Sequence, residues 1–365
     1  MRLVRLAIAD LRNLENVDIE IAPGTNLFHG ANGAGKTSIL ESLFLLSRGR
    51  SFRSPHIQDV VRQGATSCWV NADLGEDRVG RLRLSAGVDR SGRRTLKVGD
   101  DSVTKLSRVA ALLPVQLMSG DASTLVFGSP NWRRQWIDWL LFHVEPELGS
   151  SFTSYEHALR QRNSLLRQVR DENAEAAALV PWERVLGDHG HKIDEARKRL
   201  VASLCPRVKA LLDALGQSFD LQLDVSQGWS GERVLEEDLA HRRERDVALG
   251  HTTSGAHRGD LLIRVTGRPG GRSLSRGQGK AVAAAMILAQ FDHLRECGRF
   301  DGVLLIDDFS AEFDSEARDR FVEALGSRPF QVLATGVEVP DRPSRAAFSD
   351  SASFHVKQGV VYRDG

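Results

Sequence analysis

The chain has 365 residues, 41% of them hydrophobic and 27% charged, the make-up of a globular protein large enough for about two domains, which excludes wholesale disorder. A net charge of +1 commits it neither to nucleic acid nor to a membrane surface, so any DNA-binding patch must be local. Cys68, Cys205 and Cys297 lie far apart with no metal-ligand spacing, no signal-peptide pattern opens the chain, and the longest apolar run, Ala281 to Ala289, falls short of the ~20 residues that span a bilayer. A reduced, cytoplasmic protein with no membrane span is expected.

Val4, Leu6 and Ile8 alternate with Arg5 and Ala7, and Val17, Ile19 and Ile21 alternate with Asp18 and Glu20, predicting two half-buried strands. Pro23-Gly24 turns the chain into a third strand, Thr25 to His29. Gly30-Ala31-Asn32-Gly33-Ala34-Gly35-Lys36-Thr37 follows, and Thr37 to Ser47 reads as a helix. Glycine, four residues and then Gly-Lys-Thr between a strand and a helix is the P-loop pattern. The glycines let backbone N–H groups wrap a phosphate chain, and the helix adds the positive end of its dipole. The loop reads as a triphosphate seat, in which Lys36 is expected to reach the β and γ phosphates and the Thr37 hydroxyl to ligate Mg²⁺.

Beyond this helix Arg48, Arg50, Arg53 and Arg62 are interleaved with Gly49, Ser51, Phe52 and His56, a basic loop that is the first candidate for DNA-phosphate contacts. Cys68 to Val98 reads as strands with a hairpin turn at Asp89-Arg90-Ser91-Gly92, and its return strand carries a second basic group, Arg93, Arg94 and Lys97. A short strand is predicted at Val115 to Met118. Helical spacing then takes over: Trp132, Trp136 and Trp139 share one face and are read as core. A second helix runs through Phe152, Tyr155, Leu159, Leu166 and Val169, and a third from Ile193 to Leu215, kinked or broken near Pro206. The charges on these helices are mixed in sign, which favours a solvated face over a DNA track. Asp188, His189 and His191 are read as a surface turn rather than metal ligands.

Strand character returns at Leu261 to Val265, followed by a turn at 267–271. Ser275-Arg276-Gly277-Gln278 then opens the helix containing Ala281 to Ala289, presenting a hydroxyl, close-approaching backbone and a dipole to an anion. Serine in that place also simply caps helices. Gly302 to Ile306 is an apolar run ending in Asp307-Asp308, the form of a buried parallel strand that delivers carboxylates to a P-loop. Asp307 is expected in the Mg²⁺ shell, and Asp308 is placed to orient or deprotonate the attacking water. Gln331 to Ala334, leading to Thr335, and His355 to Val361 complete the predicted strands. The pattern predicts an α/β fold: a P-loop ATPase lobe with a mixed sheet and an antiparallel β layer over residues 1–118 and 250–365, and a mainly helical lobe over 119–249.

The order of P-loop, Ser-x-Gly-Gln helix, apolar strand with two acids, and Ser310-Ala311-Glu312-Phe313-Asp314 resembles the ATP-binding cassette superfamily, and within it the RecF family of repair ATPases related to SMC heads. Leu11-Arg12-Asn13, Gly128-Ser129-Pro130 with Arg133, Arg134 and Asp138, and Gly255-Ala256-His257-Arg258 carry the resemblance along the whole chain. It implies that Leu274 to Gln278 is a signature loop and Ala311 to Asp314 a D-loop. It also implies that Ser275, Gly277 and Gln278 complete the ATP site of a second copy in an ATP-dependent homodimer. Implied too are duplex DNA and single-strand/duplex junctions as ligands, RecR and RecO as partners, and a weak DNA-dependent ATPase acting as a switch. Three departures from the superfamily stand out: Asp308 in place of glutamate, Thr335 where transporters carry a switch histidine, and Ala256 in place of proline. A transporter motor subunit is the alternative, but the interval between Lys36 and Ser275 is much longer than a transporter cassette has. An SMC head on a long coiled coil would need sustained heptads, which are lacking, and a small-molecule kinase leaves the signature loop unexplained.

Overall fold

The computed structural model describes residues 2–75, 80–120, 122–266, 274–298, 302–308, 315–326, 328, 330–337 and 350–364. They divide into two compact units. The first comprises Met1–Ala122, Leu211–Gln217 and Lys280–Gly365, and the second Ser123–Ala210 and Ser218–Gly279. Residues 250–279, which the sequence suggests assigning to the ATPase lobe, cluster with the helical unit.

In the first unit the strands are β1 (Arg2–Leu11), β2 (Leu14–Glu20), β3 (Thr25–His29), β4 (Ser67–Gly75), β5 (Leu82–Asp89), β6 (Arg94–Val98), β7 (Asp101–Val103) and β8 (Val115–Met118), with helices α1 (Lys36–Arg48) and α2 (Leu106–Ala110) among them. One antiparallel sheet has the order β2-β1-β4-β5-β6-β7. Alternation puts Leu3, Leu6, Ile8 and Leu11 of β1 inside. The register shifts between Leu3 and Arg5, so Leu3 and not Val4 takes the inward place, because a bulge breaks the two-residue period.

The second unit is built from α3 (Thr124–Phe127), α4 (Pro130–Val144), α5 (Gly149–Arg170), α6 (Val180–Ala214) up to Ala210, α7 (Leu235–His241), α8 (Arg243–Leu249) and a hairpin of β9 (Asp220–Ser226) and β10 (Asp260–Thr266). Trp136 and Trp139 are buried as expected, whereas Trp132, in the first turn of α4, is 51% exposed. The α6 helix begins well before Ile193 and runs on through Pro206. Asp188, His189 and His191 lie inside it rather than in a turn, and the His191 Nε2 accepts the Leu235 N–H at 3.1 Å.

The remaining elements are α9 (Arg276–Glu296), β11 (Val303–Ile306), α10 (Ser315–Gly326), β12 (Gln331–Gly336), β13 (Ala352–Lys357) and β14 (Val360–Arg363). The second sheet of the first unit has the order β14-β13-β3-β12-β11-β8. All its pairings are parallel except that of β13 with β14. Strands buried on both faces read as continuous apolar runs, and β11 and β12 are buried at every position. Packed against both sheets, α1 is buried from Ser38 to Ser47. The helix is buried on all sides, as a core helix is, and Ile39, Leu40, Leu43 and Leu46, at 0% exposure, each contribute roughly 1.5–3 kcal/mol by burial. Gln331 ties the sheets together. Its amide oxygen accepts the Leu3 N–H at 2.7 Å, and its Nε2 donates to the carbonyls of Leu3 and Ala22 at 2.7 and 2.9 Å.

Charge is buried in the second unit. Arg162, at 0% exposure, donates to Asp246 at 2.7 Å, Thr252 at 2.9 Å and Glu183 at 3.1 Å. Removing one member of such a cluster strands the others in a low dielectric. Arg162→Ala should therefore cost about 3–5 kcal/mol, measured by denaturant unfolding. Nearby, the Tyr155 hydroxyl and His257 Nδ1 lie 2.9 Å apart. Burial pushes the His257 pKa down to about 4 from 6.5, helped by the charges of Arg258 and Arg134 and opposed by the Thr252 carbonyl. The unfolded chain therefore binds this proton more readily. The stability that His257 contributes is complete above pH 6.5 and is lost as pH falls toward 4, up to about 3 kcal/mol in all. Acid titration of the melting temperature should show this slope, and His257→Gln should flatten it.

Candidate functional site

The P-loop is shaped by contacts that only glycine permits. Gly30 has φ +138, and a Cβ there would sit 2.3 Å from the Val356 carbonyl oxygen of β13. Gly35, at φ +118, would place its Cβ 2.8 Å from Leu14 Cδ2. Two hairpin turns hold the loop from outside: the Gly359 N–H, between β13 and β14, donates to the Ala34 carbonyl at 2.8 Å, and Asn13 Nδ2, between β1 and β2, donates to the Gly33 carbonyl at 3.1 Å. Asn13 Oδ1 in turn accepts from the Ser38 hydroxyl at 3.1 Å. Lys36 folds back over the loop, its Nζ donating to the Gly30 and Ala31 carbonyls at 2.6 and 2.9 Å. Burial lowers the Lys36 pKa, against the opposing pull of Asp308 and Asp307.

The acids arrive from β11. Asp307 Oδ1 accepts two hydroxyls, Thr37 Oγ1 at 2.9 Å and Thr335 Oγ1 at 2.8 Å. Asp308 follows in the left-handed region at φ 56, and its N–H donates to Thr335 Oγ1 at 2.8 Å. Lys36, Thr37, Asp307 and Asp308 thus face one cleft of about 520 Å³, with Asn32, Gly33 and Gly35 also in its wall. Gly30, Ala31 and Ala34 belong to the same loop. Among the described residues no group of three or more His, Cys, Asp or Glu side chains is spaced to hold a metal. A cation here would use Thr37, Asp307 and a bound anion, as Mg²⁺ does when it keeps few protein ligands.

The cleft also contains residues whose site role the sequence reading did not assign: Arg12, Asn13, Asp59 and Gln63. Arg12, at φ 56, forms a bidentate pair with Glu41 at 2.9 and 2.7 Å and donates to the Asp59 carbonyl at 2.7 Å. Glu41 is wholly buried in α1, and an unpaired carboxylate there would be costly. A charged residue in the middle of an apolar helix was the available signal.

The four candidate arginines separate. Arg48 turns back onto β8, its Nε donating to the Val115 carbonyl at 3.2 Å and its Nη2 to Gln116 at 2.8 Å. Arg62 pairs with Glu15 at 2.7 Å and Asp10 at 3.4 Å. Both side chains are engaged within the fold, which counts against them as phosphate contacts. Arg53 lines the cleft and approaches Glu41 at 3.5 Å, and Arg50 is exposed. In the second basic group Arg94 donates to the Gly49 carbonyl at 2.7 Å.

Ser275 and Gln278 form a reciprocal cap at the start of α9, with Ser275 N–H donating to Gln278 Oε1 at 3.0 Å and Gln278 N–H to Ser275 Oγ at 3.3 Å. This is a capping box. Ser275 and Gly277 are exposed, and nothing lies within 4 Å of a Cβ built on Gly277. The expected D-loop, Ala311 to Asp314, and the turn at 267–271 lie outside the described residues.

The family model for the RecF/RecN/SMC N terminal domain matches residues 2–340. DNA replication and repair protein RecF of Pseudomonas fluorescens is 35% identical over 362 residues, covering 99% of this chain and 98% of its own length. RecF of Thioalkalivibrio sulfidiphilus is likewise 35% identical over 362 residues, covering 99% of both chains. A solved structure of the recombination mediator protein RecF with ATP, in the RecFOR pathway, aligns over 100% of this chain and 98% of its own at TM-score 0.87 and 22% identity. The Smc head domain from Pyrococcus furiosus, bound to the C-terminal domain of ScpA, aligns over 100% and 96% at TM-score 0.61 and 15% identity. The two structures carry the fold, a head with a mixed sheet and a helical unit, and the whole-length matches carry the family: the chain belongs to the RecF family of the RecF/RecN/SMC group.

Proposed function

We propose that this chain is an ATP-dependent DNA-binding protein of recombinational repair and replication restart, in which ATP is a switch. The carrying observation is the meeting of Lys36, Thr37, Asp307 and Asp308 at one cleft. Relatives named as DNA replication and repair proteins along essentially the whole chain favour this reading over a transporter motor. No helix among the described residues is long and apolar enough to cross a membrane.

In this reading residues Gly30 to Thr37 cradle the phosphates, with Lys36 leaving its loop carbonyls for the β and γ oxygens. Its desolvated ammonium and its bonds to backbone carbonyls suit that exchange. Thr37 and Asp307 fit Mg²⁺, since a hydroxyl and a carboxylate 2.9 Å apart are hard oxygen donors. The ion would supply charge neutralisation at the phosphates. Asp308 orients or deprotonates the attacking water, and as a shorter acid than glutamate it supports slow hydrolysis. The exposed Ser275 and Gly277, with Gln278, complete the ATP site of a second copy, so that ATP closes a homodimer on duplex DNA near single-strand gaps and hydrolysis resets it. RecR and RecO are its partners in this reading, which places it in the cytoplasm.

Fluorescence anisotropy of a labelled gapped duplex tests this. ATP should tighten binding, and Lys36→Ala and Ser275→Ala should each abolish the effect. Because Ser275→Ala also removes a helix cap worth about 1 kcal/mol, its melting temperature is measured alongside. DNA binding indifferent to ATP would remove the switch. Among the arginines, Arg50 and Arg53 remain the DNA candidates. Arg50→Ala should weaken binding across sequences and lower the salt slope by about 1, read from the same titration at several salt concentrations.

A further inference from the structure

Thr335 stands at the C-terminal end of β12 with 1% exposure, and its hydroxyl both donates and accepts. The one hydroxyl proton goes to Asp307 Oδ1 at 2.8 Å, and an oxygen lone pair accepts the Asp308 N–H at 2.8 Å. That N–H belongs to a residue in the left-handed region, φ 56, a conformation uncommon for residues with a side chain though less so for aspartate, and the bond to Thr335 helps to hold it there. Asp307 has a second hydroxyl partner in Thr37, but Thr37 is itself one of the proposed Mg²⁺ ligands. Thr335 is the partner whose bonds do not depend on the ligand.

We propose that Thr335 is a positioning residue for ATP hydrolysis: one hydroxyl sets the Asp307 carboxylate and fixes the backbone that carries Asp308 into the cleft. This inference rests on the ATP-site reading above. In the reaction the water oxygen bonds to the γ phosphorus, the bond from that phosphorus to the bridging oxygen breaks with its electron pair leaving on ADP, and the water proton passes to the Asp308 carboxylate. The rate of that transfer depends on where Asp308 points, whereas phosphate binding depends on the P-loop backbone and Lys36. Thr335 therefore acts on turnover rather than on affinity. With its proton held by Asp307, it does not serve as a hydrogen-bond donor to phosphate, so it is no substitute for a histidine that senses the γ-phosphate.

The test uses the full chain with duplex DNA and compares Thr335→Val, which keeps the shape and loses the hydroxyl, with Thr335→Ser, which keeps the hydroxyl. Thr335→Val should lower kcat about tenfold or more while the Kd for a fluorescent ATP analogue stays within about threefold. Thr335→Ser should retain kcat within about threefold, and melting temperatures measured in parallel identify any loss due to unfolding. A Thr335→Val protein that turns over like the parent, or a loss that lies wholly in nucleotide affinity, would overturn the inference. Equal loss in the valine and serine variants would overturn it too. Those results, obtained with an active parent, leave the ATP-site reading standing. A parent that neither binds nor hydrolyses ATP overturns both.

Discussion

Three adjacent parallel strands whose C-terminal ends lie at one edge of the sheet govern the first unit. The strand β12 pairs with β3 on one side and β11 on the other, with Ala334 opposite both Leu27 and Ile306. The residues just beyond or at these ends are the P-loop, Asp307 and Thr335, so the register alone brings three distant stretches of sequence to one edge. Parallel register is set by evenly spaced backbone bonds, and a slip of one residue would turn each side chain to the opposite face. The two hydroxyls on Asp307 Oδ1 are possible only in this alignment, and so is the cleft.

Polar groups in the two units solve the same problem in different ways. Glu41 sits in the middle of an apolar helix and is tolerated because Arg12 meets it with a bidentate bond. That pair fixes the β1–β2 turn against α1 and so places Asn13 at the P-loop. In the second unit Arg162 gathers carboxylates from α6 and α8, a sharing that ties helices far apart in sequence. Buried ion pairs add little net stability over an apolar core, but they penalise every arrangement in which one member goes unpaired.

Much of this was legible in the sequence. The P-loop, the strand ending in two aspartates and the small-residue helix after Ser275 are local patterns, each fixed by a few consecutive residues. The fate of the arginines was not legible. Arg48 and Arg53 look alike in sequence, yet one bonds to β8 and the other lines the cleft, a difference made by strands that arrive long after them. Pro206 allowed either a kink or a break, and α6 continues through it as one helix; the inward place in β1 moved by one residue at a bulge. The hydroxyl of Thr335 could be found only once β11 and β12 lay side by side.

The P-loop is made of residues 30–37, but part of its support comes from residues 356 and 359. Gly30 lies against the Val356 carbonyl, and Ala34 accepts its bond from Gly359. During synthesis the loop therefore emerges with its walls missing. Contacts spanning this much sequence form slowly, and domains of this size pass through partly folded states. A ribosome that stops short of residue 359 releases a chain with an unbraced phosphate loop. Completion of the site therefore waits on synthesis of residues 356 to 359, and a fragment that has the motif but lacks them is not equivalent to a chain that includes them.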